Sequence, residues 1–390
     1  MYQTIQRRDI ATVFDRLRAE HSYKQDMVIP ARDLHFSNYR QGMPTATPFM
    51  FVAPSEVNKQ TYQGFSDGFM TSKAEQNLAA KLKMPMTYFE YLKQTYPRLL
   101  VDNLNYLSGH SEQRLLLRTF KPDSPFIDIA DGEQTCHRVR SVLSDRYKRI
   151  DNLDVLGAVT RAIAETGVDV EVGQASLTEN HMFIDFVARN PQSFPDFLAD
   201  YQAPGSGNGG QTGVVTGFSV RNSETGASRF QIVPRAIVLA CNNGLVVTRD
   251  AIARTHLGSR ISESGVIWSH DTMEKELDLI IAQTRDAVTR FLSPEYLGQT
   301  IADIMACREY LEHPSSAAMG LGQRLRFDQE QTGRLIEVFL GGGDKTTTGL
   351  LHAATYMAQQ MDVERQYEVE ADAMALLPGM KQLDKPWTNN

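Results

Sequence analysis

Residues 138–152 read RVRSVLSDRYKRIDN, an alternating branched stretch that runs into a cationic turn and then into a pair of helix-capping residues. Period-two alternation predicts a strand over 135–143. On it Cys136, Arg138, Arg140 and Val142 share one face, and His137, Val139, Ser141 and Leu143 share the other. Asp151 or Asn152 can accept from the free N–H groups of a helix over 153–166, whose Leu156, Val159 and Ile163 form an apolar side. A strand–turn–helix junction is expected here. From Arg138 to Arg149, Arg138, Arg140, Arg146, Lys148 and Arg149 stand against Asp145 alone, a local charge of +4 in a chain of net charge −7.

Outward from the junction, 114–120 (RLLLRTF), 168–172 and 181–188 read as further strands. Residues 203–213, APGSGNGGQTG, form a flexible loop, since Gly and Ser keep a chain conformationally free. Val214, Thr216, Phe218 and Val220 then alternate up to the polar turn Asn222–Gly226, and SRFQIVPRAIVLACNNG returns as the second strand of a hairpin. Pro234 cannot donate to a ladder and marks an edge or a bulge. Asn243-Gly244 supplies the next tight turn.

Helices gather at the two ends of the chain. TSKAEQNLAAKLKMP opens with Thr71 or Ser72 as cap and ends at Pro85, and short helices follow at 87–94 and 99–107. Beyond 272, Met273, Leu277, Ile280, Ile281, Thr284, Ala287, Val288 and Phe291 recur at helical spacing. Further helices are expected at 294–310, 328–340, 349–361 and 363–377. The fold class is α+β, a central antiparallel β-sheet with helices at both ends. The expected regions are an extended and helical 1–110, a β-rich 111–270, a helical 271–380 and a tail 381–390.

The chain has 390 residues, 42% hydrophobic and 22% charged, which is a globular composition with material for two or three domains. Its first residues have no apolar run after their cations, and no stretch approaches the roughly 18 apolar residues that span a bilayer. A cytoplasmic protein with no membrane partner is expected. Cys136, Cys241 and Cys307 lack ligand spacing, which points away from a disulfide framework and from structural zinc.

No catalytic constellation is legible, so the reading is non-enzymatic, with no cofactor and no metal. GGGDKTTT (341–348) differs from a phosphate-binding P-loop by carrying Asp344 where Gly precedes the Lys, and it reads as a Gly-rich helix end joined to a Thr-capped helix. Glu364, Glu368 and Asp372, spaced by four, read as a solvated helix face rather than a two-metal site. His137 and Cys136 point to opposite strand faces and cannot serve one metal. The cations of the junction have two readings. In one, Arg138, Arg140, Arg146, Lys148 and Arg149 neutralise phosphates while Tyr147 stacks on an unpaired base, with Arg221 and Arg229 of the hairpin extending the surface. In the other, the arginines pair with acids from other segments.

Three signatures, TSKAEQNLAAKLKMPMTYFEYL, RSVLSDRYKRIDNLDVL and SVRNSETGASRFQIVPRAIVLACNNGLVV, resemble the phage/plasmid-like family classified as domain of unknown function nine hundred and thirty-two. The resemblance covers about residues 71–377 and includes GGGDKTTTGLLHAATYMAQQ. It departs there, with His352 and Ala354 where Asn and Val are usual, and the family's Cys-Thr-Asn-Gly is Cys241-Asn242-Asn243-Gly244. The resemblance implies a mobile-element protein and brings no activity with it. A sheet backed by a helix, with a basic strand and hairpin, also looks loosely like the ring-forming single-strand annealing recombinases. The functional expectation is a single-stranded DNA- or RNA-binding protein in annealing or recombination, possible as a homo-oligomer. The alternative is an interaction factor that meets a host protein through the helices of 71–107.

Overall fold

The computed structural model describes residues 5–6, 10–38, 51–54, 62, 64–125, 136–198, 213–238, 243–246, 252–254 and 270–386. The glycine-rich loop up to residue 212, Cys241 and the last four residues lie outside them, as does most of the stretch 44–54.

The N-terminal elements are β1 (Ile5–Gln6), α1 (Ile10–Tyr23), β2 (Lys24–Pro30), β3 (Leu34–Ser37), β4 (Phe51–Pro54), β5 (Gly68–Met70), α2 (Ser72–Lys81), α3 (Met86–Thr95) and α4 (Pro97–Gly109). The central ones are β6 (Arg114–Phe120), β7 (His137–Ser144), α5 (Asn152–Thr166), β8 (Val170–Leu177), β9 (Met182–Ala188), the single turn α6 (Pro195–Leu198), β10 (Val214–Asn222), β11 (Phe230–Val238), β12 (Asn243–Val246) and β13 (Ile252–Arg254). The rest are α7 (His270–Phe291), α8 (Pro294–Ala306), α9 (Pro314–Arg324), α10 (Gln329–Gly341), α11 (Thr347–Ala358) and α12 (Val363–Leu376).

The fold is α+β, and its strands divide into two sheets rather than one. Sheet A has the order β1-β8-β9-β10-β11-β12, with β13 also on β11, and is antiparallel throughout. Sheet B has the order β2-β6-β7-β5-β4-β3 and is antiparallel except for the β5–β7 pair. Sheet B thus joins strands from either side of residue 110. Sheet A is covered on both faces. Ile184, Phe186, Phe218, Val220 and Ile232 pack under α1, α5 and α7, while Phe183 and Val233 meet Val363, Tyr367 and Ala371 of α12. Leu115, Leu117, Val139 and Val142 of sheet B pack against α2, α3 and α4. A third core unites α8 to α12 around Leu321, Leu335, Leu350 and Ala354.

Strand β7 departs from simple alternation. Ser141 pairs with Arg118 and Val139 with Thr119, so Arg140 is the extra residue of a β-bulge. The bulge turns Val142 to the helix-covered face beside Val139, contrary to the faces expected from period two. Leu143 lies on the other side, where a Cβ on Gly226 would meet it at 2.7 Å. Gly226 also has φ +73°, a conformation that favours glycine.

Asn243 and Gly244 are strand residues, pairing with Val238 and Ile237 rather than forming a turn; residues 239–242 lie outside the described residues. Pro234 belongs to β11 opposite Phe218. On the other side β13 pairs only with Phe230–Ile232 and β12 only from Arg235 onward, so among the described residues Pro234 occupies a local edge that asks for no donor.

Candidate functional site: a buried charge lock and an exposed cationic end

The acid that organises the cationic junction is Glu224, in the turn between β10 and β11. Its carboxylate accepts from Lys24 Nζ at 2.6 Å, from both terminal nitrogens of Arg140 at 3.0 Å and from the backbone N–H of Asn152 at 2.8 Å. Its carbonyl accepts from Arg118 Nη1 at 3.1 Å. Arg118 also donates to Asp26 at 3.1 Å and to Asp151 at 2.5 Å. Three cations, Lys24, Arg118 and Arg140, therefore meet three carboxylates, Asp26, Asp151 and Glu224, at the contact between the two sheets.

The lock also starts α5. Asp151 has the dihedrals of the N-cap residue but makes no side-chain cap bond; its carboxylate is engaged by Arg118. Glu224 caps the helix instead by accepting from Asn152 N. Asn222 donates to Ile150 O and to Asn152 Oδ1, and Tyr147 donates to Ser223 O at 2.9 Å. Burial alone would raise the Glu224 carboxyl, but Lys24, Arg140 and Arg118 outweigh it and hold the group well below its ordinary value. The same acids hold Arg118 charged against the cost of burial.

The residues expected to bind nucleic acid therefore separate. Arg138 and Arg140 are 7% and 2% exposed; Arg138 is paired to Glu179 at 2.8 Å and Arg140 to Glu224. Both are committed to the interior, and the reading that pairs them with acids from other segments describes them. Tyr147 is half-buried, with burial pushing its hydroxyl up, so its ring is not presented as a platform. Arg149 lies 4.0 Å from Asp26. Arg221 stacks over the Tyr367 ring at 4.2 Å and faces α12; Arg229 is exposed. Lys148 is half-buried and Arg146 exposed, on the turn after β7.

Arg146 has neighbours that sequence inspection passed over. Asp145 N donates to Arg114 O, Pro30 pairs with Arg114, and Ala31 N donates to Gln113 O. Gln113 Nε2 in turn reaches Lys81 O at the end of α2. One end of sheet B thus collects Arg32, Arg114 and Arg146, all exposed, next to Lys81 and the exposed Lys83. Arg32 and Arg114 both act on the Tyr62 hydroxyl, although burial and Asp33 prevail and push it up to about 12. Asp33, Glu112 and Asp145 are the acids of this end, which leaves a balance of five cations to three acids. Arg32 and Arg114 are isolated in sequence, so no local charge run announced them.

No protein-family profile, no curated protein and no solved structure matches this chain.

The remaining motifs have structural explanations. In the Gly-rich segment before α11, Asp344 is buried and its carboxylate accepts from Thr346 N at 3.1 Å. The Asp344 carboxylate thus ties the turn that leads into α11. Gly349 is required because a Cβ there would lie 1.9 Å from Asp344 O. Glu364, Glu368 and Asp372 are exposed on α12, and among the described residues no group of three or more His, Cys, Asp and Glu is placed to hold a metal. No described helix is long and apolar enough to cross a membrane.

On α12, Glu370 points inward. It and Asp185 flank Arg235 of β11, Ser219 donates to Asp185 at 2.5 Å, and Gln366 donates to Glu370 at 2.8 Å. Burial pushes Glu370 up to about 7, against the pull of Arg235 and Gln366. A carboxyl whose folded value exceeds its ordinary 4.5 binds more protons in the native state between those values. Its contribution is full below pH 4.5 and is lost as pH rises toward 7. Glu224 has the opposite sign: its contribution is present above 4.5 and lost as pH falls. Urea midpoints measured across pH are expected to decline less between 4.5 and 7 in Glu370→Gln than in the parent chain. Parallel profiles would contradict this assignment.

Proposed function

We propose that this chain is a non-enzymatic, single-stranded nucleic-acid-binding protein of a phage or plasmid, with annealing or recombination as the process its resemblance suggests. What supports the reading is the end of sheet B, where segments far apart in sequence bring Arg32, Arg114 and Arg146 to the surface together. Cations held on a strand end and its adjoining turns track a phosphate backbone at little entropic cost, and their effect is local, because charges of the chain farther away than about 8 Å are largely screened in physiological salt, so the net charge of −7 does not oppose it. Lys148 and Arg149 extend the same turn. The buried arginines Arg138 and Arg140 contribute by fixing β7, from whose end Arg146 projects.

The test is fluorescence anisotropy of a labelled oligo(dT) strand over a series of salt concentrations. Affinity is expected to fall steeply with salt. Arg114→Ala combined with Arg146→Ala should make the slope shallower by about 1.4, at about 0.7 for each lost phosphate contact on a single strand. Salt-independent binding, or none, would refute the proposal.

A further inference from the structure

We infer that α3 and α4 form a base-stacking platform beside the cationic end, which makes unpaired bases, and not duplex, the part of the ligand that is recognised; this rests on the proposed nucleic-acid reading. Among the described residues, five of the eight most exposed large apolar side chains lie between positions 88 and 106: Tyr88, Tyr91, Tyr96, Leu99 and Tyr106, from 45% to 66% exposed. None is needed to hold the helices down. Phe89 and Leu92 anchor α3, and Leu100 and Leu104 anchor α4, each at most 1% exposed.

The rings are also ordered relative to one another. Tyr88 and Tyr91 are one helical turn apart, and Leu99 and Tyr106 lie two turns apart on the outer line of α4. Tyr96 at the junction of the helices meets Tyr91 edge to face, with centroids 6.0 Å apart. Tyr106 overlaps His110 at 4.3 Å. His110 precedes Gln113 by three residues, and Gln113 is tied to Ala31 and Lys81 at the cationic end. The Tyr106–His110 end of the patch is therefore joined through Gln113 to the place where phosphates are proposed to sit.

Ring chemistry and charge select the occupant. A tyrosine offers a flat π-face to any base and a hydroxyl that tolerates water, so it remains soluble when unoccupied. Duplex DNA keeps its bases stacked on one another and cannot use such faces. From 81 to 114 the charged residues are Lys81, Lys83, Lys93, Arg98 and Arg114 against Glu90, Asp102 and Glu112, a net +2 within a chain of −7. Lys93 is paired with Glu75, while Lys83, before α3, and Arg98, in the first turn of α4, are exposed.

Binding of the full chain to oligo(dT) is to be compared with binding to an abasic strand of equal length, which keeps the phosphates and lacks the bases. The parent chain should prefer oligo(dT). Tyr88→Ala, Tyr91→Ala and Tyr106→Ala combined should lower affinity for oligo(dT) at least about tenfold and leave the abasic strand unaffected, with circular dichroism confirming the fold. The corresponding Phe variant should bind like the parent. Equal affinity for both strands, unchanged by the Ala substitutions but weakened by Arg114→Ala with Arg146→Ala, would overturn the platform and leave the nucleic-acid reading standing. Absence of binding to either strand would overturn both. Nuclease-resistant capture of a protein that the Ala variant loses, with oligonucleotide binding unchanged, would assign the patch to a protein partner and also overturn the platform.

Discussion

Glu224→Ala is expected to destabilise the fold by about 3–5 kcal/mol, the cost typical of removing one partner from a buried ion pair, read as a fall in the urea midpoint. The substitution leaves the Lys24 ammonium and the Arg140 guanidinium without the carboxylate they share. It also uncaps the first N–H of α5, which adds about 1 kcal/mol in comparable helices. Glu224→Gln keeps an acceptor but loses the charge, and should fall between the two. Because the lock joins β2, β6 and β7 of sheet B to the β10–β11 turn of sheet A, its loss should loosen the contact between sheets before either sheet melts. An Ala variant with an unchanged midpoint would contradict this role.

Arg235→Ala should be comparably costly, about 3–5 kcal/mol near neutral pH. Arg235 is 6% exposed and stands between Asp185 and Glu370, which lie on β9 and α12. Without it two buried carboxylates face one another, so one must take up a proton or draw in water. Glu370 already tends toward the protonated form, so the penalty should shrink as pH falls below 7. Replacing the set by apolar groups, Asp185→Leu, Arg235→Met and Glu370→Leu together, should recover part of the loss, since hydrocarbon needs no partner. A penalty that does not change with pH would show that Glu370 is not the group left exposed to the loss.

Much of the architecture was legible because its signals are local. Thr71 and Asp328 cap α2 and α10 through their own side chains, and Asp328 with Gln331 completes a capping box. The periodicity around Val288 and Phe291 marks α7, and alternation marks β10. Other elements left weaker traces. Helix α9 packs through Leu321 and the small Ala317, Ala318 and Gly322, a buried face with little bulk to mark it in the sequence. Strands β3 to β5 are short, and what joins them with β2 into a sheet is pairing with β6 and β7, far along the chain. The bulge at Arg140 shifted side chains between faces without altering the pattern of residue types.

The site was harder to read for the same reason. A charge window from Arg138 to Arg149 counts five cations against Asp145 but cannot see Glu179 or Glu224, which lie 41 and 84 residues from their partners. Glu224 itself looked like a turn residue. Conversely Arg32 and Arg114 are single cations at strand ends, and only the register of β2, β6 and β7 places them beside Arg146. The stretch RVRSVLSDRYKRIDN is thus mostly a device for joining two sheets, with Arg146 and Arg149 as its exposed cations.

The central claim is that the paired arginines of this signature hold the fold while the exposed ones meet the ligand. The most direct test is the affinity of Arg138→Ala for oligo(dT), measured at low salt and at a temperature where the variant is folded. Affinity equal to that of the parent chain, alongside a loss in Arg146→Ala, is the predicted result; a loss in Arg138→Ala as large as that in Arg146→Ala would contradict the account.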